Sequence, residues 1–105
     1  MALLPPRWSY SVLKAVAEVL ADTSDGLTGR EISDLLLRLR MEDPAPNATK
    51  RERLTEAFVA RQNKDLSSKR IITFIVTAME PVRYRRQPEL FTLRQDRLNE
   101  HLVFV

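Results

Sequence analysis

Cysteine is missing altogether from these 105 residues. Its absence excludes disulfides, thiolate nucleophiles and every cysteine-based zinc site, and it suits a reducing compartment, so the expected address is the cytoplasm. Glycine is nearly missing too: Gly26 and Gly29 are the only two, and both flank one turn. A fold made of many tight β-hairpins needs more glycine than that. Long apolar runs are also lacking. The start Met1-Ala2-Leu3-Leu4-Pro5-Pro6 breaks at two prolines, far short of a signal h-region or a membrane span, and no membrane partner is expected. Histidine occurs once, at His101. Glu42 and Asp43 stand beside prolines without further carboxylates, too few oxygen ligands for calcium. No nucleophile, base and orienter set, no metal-ligand cluster and no phosphate-cradling loop can be assembled on sequence grounds. The chain reads as non-enzymatic, with no metal and no cofactor.

What is present points to a folded domain. Hydrophobic residues make up 44% and charged residues 30%, far from the composition of a disordered chain. The length suits one domain, so residues 1–105 are expected to form a single helical domain. The net charge of +3 is unevenly spread. Residues 1–49 hold 5 Lys and Arg against 7 Asp and Glu, a net −2, whereas residues 50–105 hold 12 against 7, a net +5. A basic half suits phosphate neutralisation, a solvated face or an acidic partner.

Hydrophobic spacing predicts a compact all-α bundle of about five helices. From Trp8 to Ala21, residues Val12, Leu13, Val16, Val19 and Leu20 recur at three and four, on one helical face. After the turn residues Asp22 to Gly26, Thr28-Gly29-Arg30-Glu31 forms a capping box, and helix two continues through Ile32, Leu35, Leu36 and Leu39 to about Arg40. Pro44 and Pro46 mark a loop. Thr49-Lys50-Arg51-Glu52 is a second capping box, opening a helix through Leu54, Ala57 and Phe58, with Asn63 to Ser67 as its closing turn. Ser67 or Ser68 supplies the next N-cap. Ile71, Ile72, Phe74, Ile75, Ala78 and Met79 read as helix four, with a strand as the competing reading of this β-branched run. Pro81 stops that helix and Pro88 restarts one carrying Leu90, Phe91, Leu98 and Leu102. The lone Trp8 is expected to be a core residue or an N-terminal staple. The chain ends in the apolar Val103-Phe104-Val105, which reads as a cut through a longer protein of which this is the N-terminal part.

Three groupings invite a functional reading. Arg83, Tyr84, Arg85 and Arg86 set one aromatic among three guanidinium groups, able to stack a base and hold phosphates. The same residues equally suit a connector whose tyrosine packs on a helix while the arginines stay wet. Leu27-Thr28-Gly29-Arg30-Glu31-Ile32 resembles the opening of a helix-turn-helix pair, with Lys50, Arg51, Arg53 and Arg61 then facing a duplex. The long connection from Arg40 to Thr49 argues against that crossing. Arg94 and His101 have the Arg-x6-His spacing of HEPN-type ribonucleases, but chance pairing is easy in an arginine-rich chain and no second polar group accompanies them. The working surface expected is the connector Arg83, Tyr84, Arg85 and Arg86 together with Lys50, Arg51 and Arg53.

Several segments together carry a family resemblance. They are Thr28 to Ile32, Asp43-Pro44, Thr49-Lys50, Arg53-Leu54, Gln62-Asn63-Lys64-Asp65, Ile71 to Ile75, Ala78-Met79-Glu80-Pro81-Val82-Arg83-Tyr84 and Leu98-Asn99. They resemble the N-terminal domain of the Ymh-type, AbiJ-like proteins of bacteria, which are associated with abortive infection and related phage defence. The resemblance spans about residues 10–104, and Met-x-Pro-Val-Arg-Tyr is its most specific part. It implies that a separate, HEPN-like C-terminal domain carries nuclease activity and that this piece is a non-catalytic module sensing or targeting for that effector. No catalytic residue transfers to this chain. A DNA-binding helix-turn-helix domain and a small HEPN-like ribonuclease are the alternatives.

Overall fold

A computed structural model describes residues 4–103. Among the described residues are five α-helices and one short 3₁₀ turn, with no strand: α1 (Tyr10–Leu20), α2 (Gly29–Arg38), α3 (Lys50–Asp65), α4 (Lys69–Ala78), the 3₁₀ turn (Pro81–Tyr84) and α5 (Pro88–Leu102). The all-α bundle is therefore the fold, and the β-branched run of α4 is helical. Phe104 and Val105, and Met1 to Leu3 at the other end, lie outside the described residues.

The starts follow local chemistry. Thr28 Oγ accepts from the Glu31 amide at 3.1 Å while Glu31 Oε1 accepts from the Thr28 amide at 2.9 Å, so the first capping box is complete. At the second, only the Thr49 hydroxyl acts, accepting from the Glu52 amide at 3.3 Å. The ends differ more from expectation. Helix α3 runs through Asn63 to Asp65, residues read from sequence as turn, and stops at Leu66, which takes a left-handed φ of 54°. Helix α2 ends in a Schellman turn: Arg40 has φ 56°, its amide donates to the Leu37 carbonyl, and the Met41 amide donates to the Leu36 carbonyl.

Packing is organised around α1 and α3. Helix α1 packs on α3 and α5, α3 also on α4, and α2 on α4, while the 3₁₀ turn packs on α5. Leu13, Val16 and Leu20 of α1, Leu54, Ala57 and Phe58 of α3, and Ile71, Phe74 and Ala78 of α4 are buried. Phe58 and Phe74 meet edge to face, with centroids 5.2 Å apart. Trp8 packs against this core and is held by its backbone: its amide donates to Gln62 Oε1 at 2.9 Å, and Gln62 Nε2 donates back to its carbonyl at 2.8 Å. Ser67 and Ser68 hydroxyls donate to the Pro5 and Pro6 carbonyls at 2.6 Å each. The Ser68 hydroxyl thus does not cap α4, although Ser67 Oγ accepts from the Lys69 amide at 3.1 Å. A long-range partner has taken the group that local pattern assigned to a cap.

Candidate functional site

The turn joining α1 to α2 organises the region that the sequence reading singled out. Asp22 Oδ1 accepts from the amides of Ser24 at 2.9 Å and Asp25 at 3.1 Å. These two backbone donors, Asp25 first, hold the Asp22 carboxyl below its ordinary range. Gly26 then packs its α-carbon against the chain it follows: a Cβ there would stand 2.2 Å from the Asp22 nitrogen. Three cations close on the carbonyls of this segment and the start of α2. Lys50 Nζ donates to the Asp22 and Leu27 carbonyls at 3.0 Å each, Arg53 Nη1 donates to the Gly29 carbonyl at 3.1 Å, and Arg94 Nη2 donates to the Asp25 carbonyl.

Two residues expected on a free surface are therefore internal supports. Arg53 is only 8% exposed; its Nε and Nη2 grip Asp43, with the shortest contact at 2.7 Å, and Nη2 also donates to Ser33 Oγ at 2.6 Å. The hydrogen-bonded Asp43 carboxylate raises the Arg53 pKa further. Lys50 is half-buried over the two carbonyls. Their charge and helical position looked like a phosphate-facing stripe, but the backbone oxygens they satisfy come from more than twenty residues away. Arg51 does remain exposed, 4.0 Å from Glu18 in a solvated pair of little energetic weight.

The connector divides in the same way. Tyr84 is 5% exposed, so the base-stacking reading gives way to the one in which the tyrosine packs. Its hydroxyl donates to the Ala78 carbonyl at 2.8 Å and accepts from Arg94 Nη1 at 2.6 Å, and its ring meets Phe91 edge to face at 5.3 Å. Arg94 stacks over the same ring, 5.3 Å from its centroid. Pro81 sets the first φ of the 3₁₀ turn, the Arg83 amide donates to the Glu80 carbonyl at 3.0 Å, and the Gln87 amide donates to the Tyr84 carbonyl at 2.8 Å where the chain leaves the turn. The turn presents Arg83, Arg85 and Arg86 to solvent, with Arg83 Nε steadied on the Thr77 carbonyl at 3.1 Å. Beside it opens a cleft of about 520 Å³ lined by Asp25, Thr28, Glu31, Arg83, Tyr84 and Arg94 among others.

No protein-family model, curated protein or solved structure matches this chain.

The remaining groupings are placed by the same contacts. Arg94 is 5% exposed and committed to Tyr84 and Asp25, while His101 lies two turns on, about 10 Å along the α5 axis. The pair does not share one reacting position. Helices α2 and α3 are joined by residues 39–49, and each packs chiefly on other elements, so they do not build the short-turn crossing of a helix-turn-helix. Among the described residues no group of three His, Asp or Glu could hold a metal, and no helix is long and apolar enough to cross a membrane. The sequence reading missed Arg94 as a support for the 3₁₀ turn; its ten-residue spacing from Tyr84 is no local signal.

Proposed function

We propose that this chain is a non-catalytic interaction and sensing domain that regulates or targets an attached effector in bacterial antiviral defence. The observation that carries the reading is the anchored connector. Tyr84 is locked from both sides while Arg83, Arg85 and Arg86 point outward, so three cations are displayed on a turn that loses little entropy on binding. The most specific segment of the resemblance to AbiJ-like N-terminal domains, Met79 to Tyr84, is the segment that builds this display. An acidic partner surface seated on it would favour one arrangement of domain and effector over another, which is all a sensor requires.

The test is a phage-infection assay with the full protein, comparing wild type with Arg83→Glu/Arg85→Glu/Arg86→Glu at matched expression. The expected result is protection by the wild type and its loss in the triple variant, whose melting temperature stays near that of the wild type. Absence of protection by the wild type, or undiminished protection by the folded variant, refutes the reading.

A further inference from the structure

A second cationic surface lies at the far end of α2, of which the sequence reading named Arg61 alone. We propose that the corner where α2 ends, α3 ends and α4 begins binds the phosphate backbone of a nucleic-acid duplex without reading its sequence. Arg38 and Arg40 come from the end of α2, Arg61 from α3, and Lys69 and Arg70 from the start of α4. Hydrogen bonds bring Arg61 and Arg70 together over the end of α2. Arg70 Nη1 donates to the Leu39 carbonyl at 2.7 Å and Arg61 Nη1 to the Arg40 carbonyl at 3.2 Å, so guanidinium groups from two helices meet over adjacent carbonyls of a third. The acid bonded into this group is Asp65, at 2.9 Å from Arg61 Nε. Arg61 is matched by Asp65, which leaves Arg38, Arg40, Lys69 and Arg70 as four cations without an ion pair among the described residues at this corner.

Arg40 and Leu66 are the two non-glycine residues with positive φ among the described residues, and they are the residues just past the ends of α2 and α3, at this same corner. Both conformations close helix ends, and glycine takes them freely where an arginine does not, so Arg40→Gly separates the preference of the backbone from the charge of the side chain. Arg61, its side chain 14% exposed and bonded to Asp65 and the Arg40 carbonyl, is a support of the corner, whereas Arg70 is pinned by one carbonyl and keeps further N–H donors, so its orientation is set before a phosphate arrives.

The same face argues for a duplex over a single strand. Single strands are held by stacking bases on aromatic rings. Tyr10 is the exposed large aromatic among the described residues and begins α1, while Trp8 packs against the core. A cation cluster with no stacking platform suits the regularly spaced phosphates of a double helix. The corner shares no residue with the connector Arg83 to Arg86, so the two proposals fail separately.

The test is fluorescence anisotropy of the whole chain with labelled DNA and RNA duplexes of about 20 base pairs from about 50 to 200 mM salt. A plot of log affinity against log salt should fall with a slope of about −4 for either duplex, or for whichever of the two is bound. Arg40→Gly is the decisive variant: it should raise the melting temperature by relieving the backbone and yet reduce the slope by about 1. Arg38→Glu/Lys69→Glu should weaken binding about tenfold or more at low salt. Four outcomes overturn the proposal: no duplex binding at the lowest salt, slopes indifferent to the corner variants, loss of binding on reversing Arg83, Arg85 and Arg86 with the corner intact, or tighter binding to a single strand or to polyglutamate.

Discussion

Tyr84→Phe removes one oxygen atom from the centre of the best-defined motif in the chain. In the folded protein that oxygen donates to the Ala78 carbonyl at 2.8 Å and accepts from Arg94 at 2.6 Å, in a region where Tyr84 and Arg94 are each 5% exposed. Phenylalanine keeps the ring, its edge-to-face contact with Phe91 and its stacking with Arg94. What is lost is the donor to a carbonyl at the end of α4 and one acceptor for a cation that cannot shed its charge. A buried partner left without its hydrogen bond costs about 1–3 kcal/mol, so two such groups place the variant about 2–4 kcal/mol below wild type, allowing for partial hydration of Arg94. For a domain of this size each kcal/mol moves the melting temperature by about 4–8 °C, a shift of at least about 8 °C. Urea unfolding followed by far-ultraviolet circular dichroism measures the difference directly, and Arg94→Met with the double variant completes a cycle. The two single losses should be strongly non-additive, coupled by about 1 kcal/mol or more, because they break the same bond. A Tyr84→Phe protein within about 0.5 kcal/mol of wild type would refute the structural role and return the ring to the list of candidate ligand contacts.

The two glycines should respond in opposite directions. A Cβ at Gly26 would meet Asp22 backbone atoms at 2.2 and 2.4 Å, so Gly26→Ala forces the turn open and lowers the melting temperature; at Gly29 the nearest atom is Arg53 Nη1 at 3.8 Å, and Gly29→Ala should be neutral or stabilising by up to about 1 kcal/mol. Thermal melts of both variants settle it, and equal effects would contradict the geometry. Asp22 carries a pH signature: its folded pKa lies below the ordinary value of 3.8, so the stability it contributes is present above that value and disappears as pH falls through the folded pKa. Melting temperatures of Asp22→Asn and wild type should therefore converge in strong acid, separate as pH rises toward about 4 and keep a steady gap above it; a gap already constant from strong acid up to about 4 counts against the assignment.

Helix starts in this chain are written locally, and they were legible. The Thr28 capping box, Pro88 at the first turn of α5 and the three-four spacing of Leu13, Val16 and Leu20 each use partners within a few residues. The stop of α3 was misread because Asn63 to Ser67 is polar and turn-like, whereas the helix continues until Leu66 adopts the left-handed region. The site was less legible for a different reason. Lys50, Arg53 and Arg94 look alike on paper and were candidates for ligand contact, yet each satisfies backbone carbonyls 23 to 69 residues away. The arginine corner is hidden likewise, since Arg70 and the Leu39 carbonyl it reaches are 31 residues apart. Local patterning reports where helices begin; which charges become supports depends on long-range closure.

The clasp on the N-terminal strap has a bearing on what counts as one inheritable unit. Gln62, Ser67 and Ser68 are buried polar residues whose side-chain partners are backbone groups of Pro5, Pro6 and Trp8, all ahead of the first helix. A gene fusion or rearrangement cut at Ser9 would carry all five helices and still strand three polar groups in the interior. The smallest transferable module therefore begins at Pro5, and any recombination that moves this bundle between proteins should retain that short extended lead.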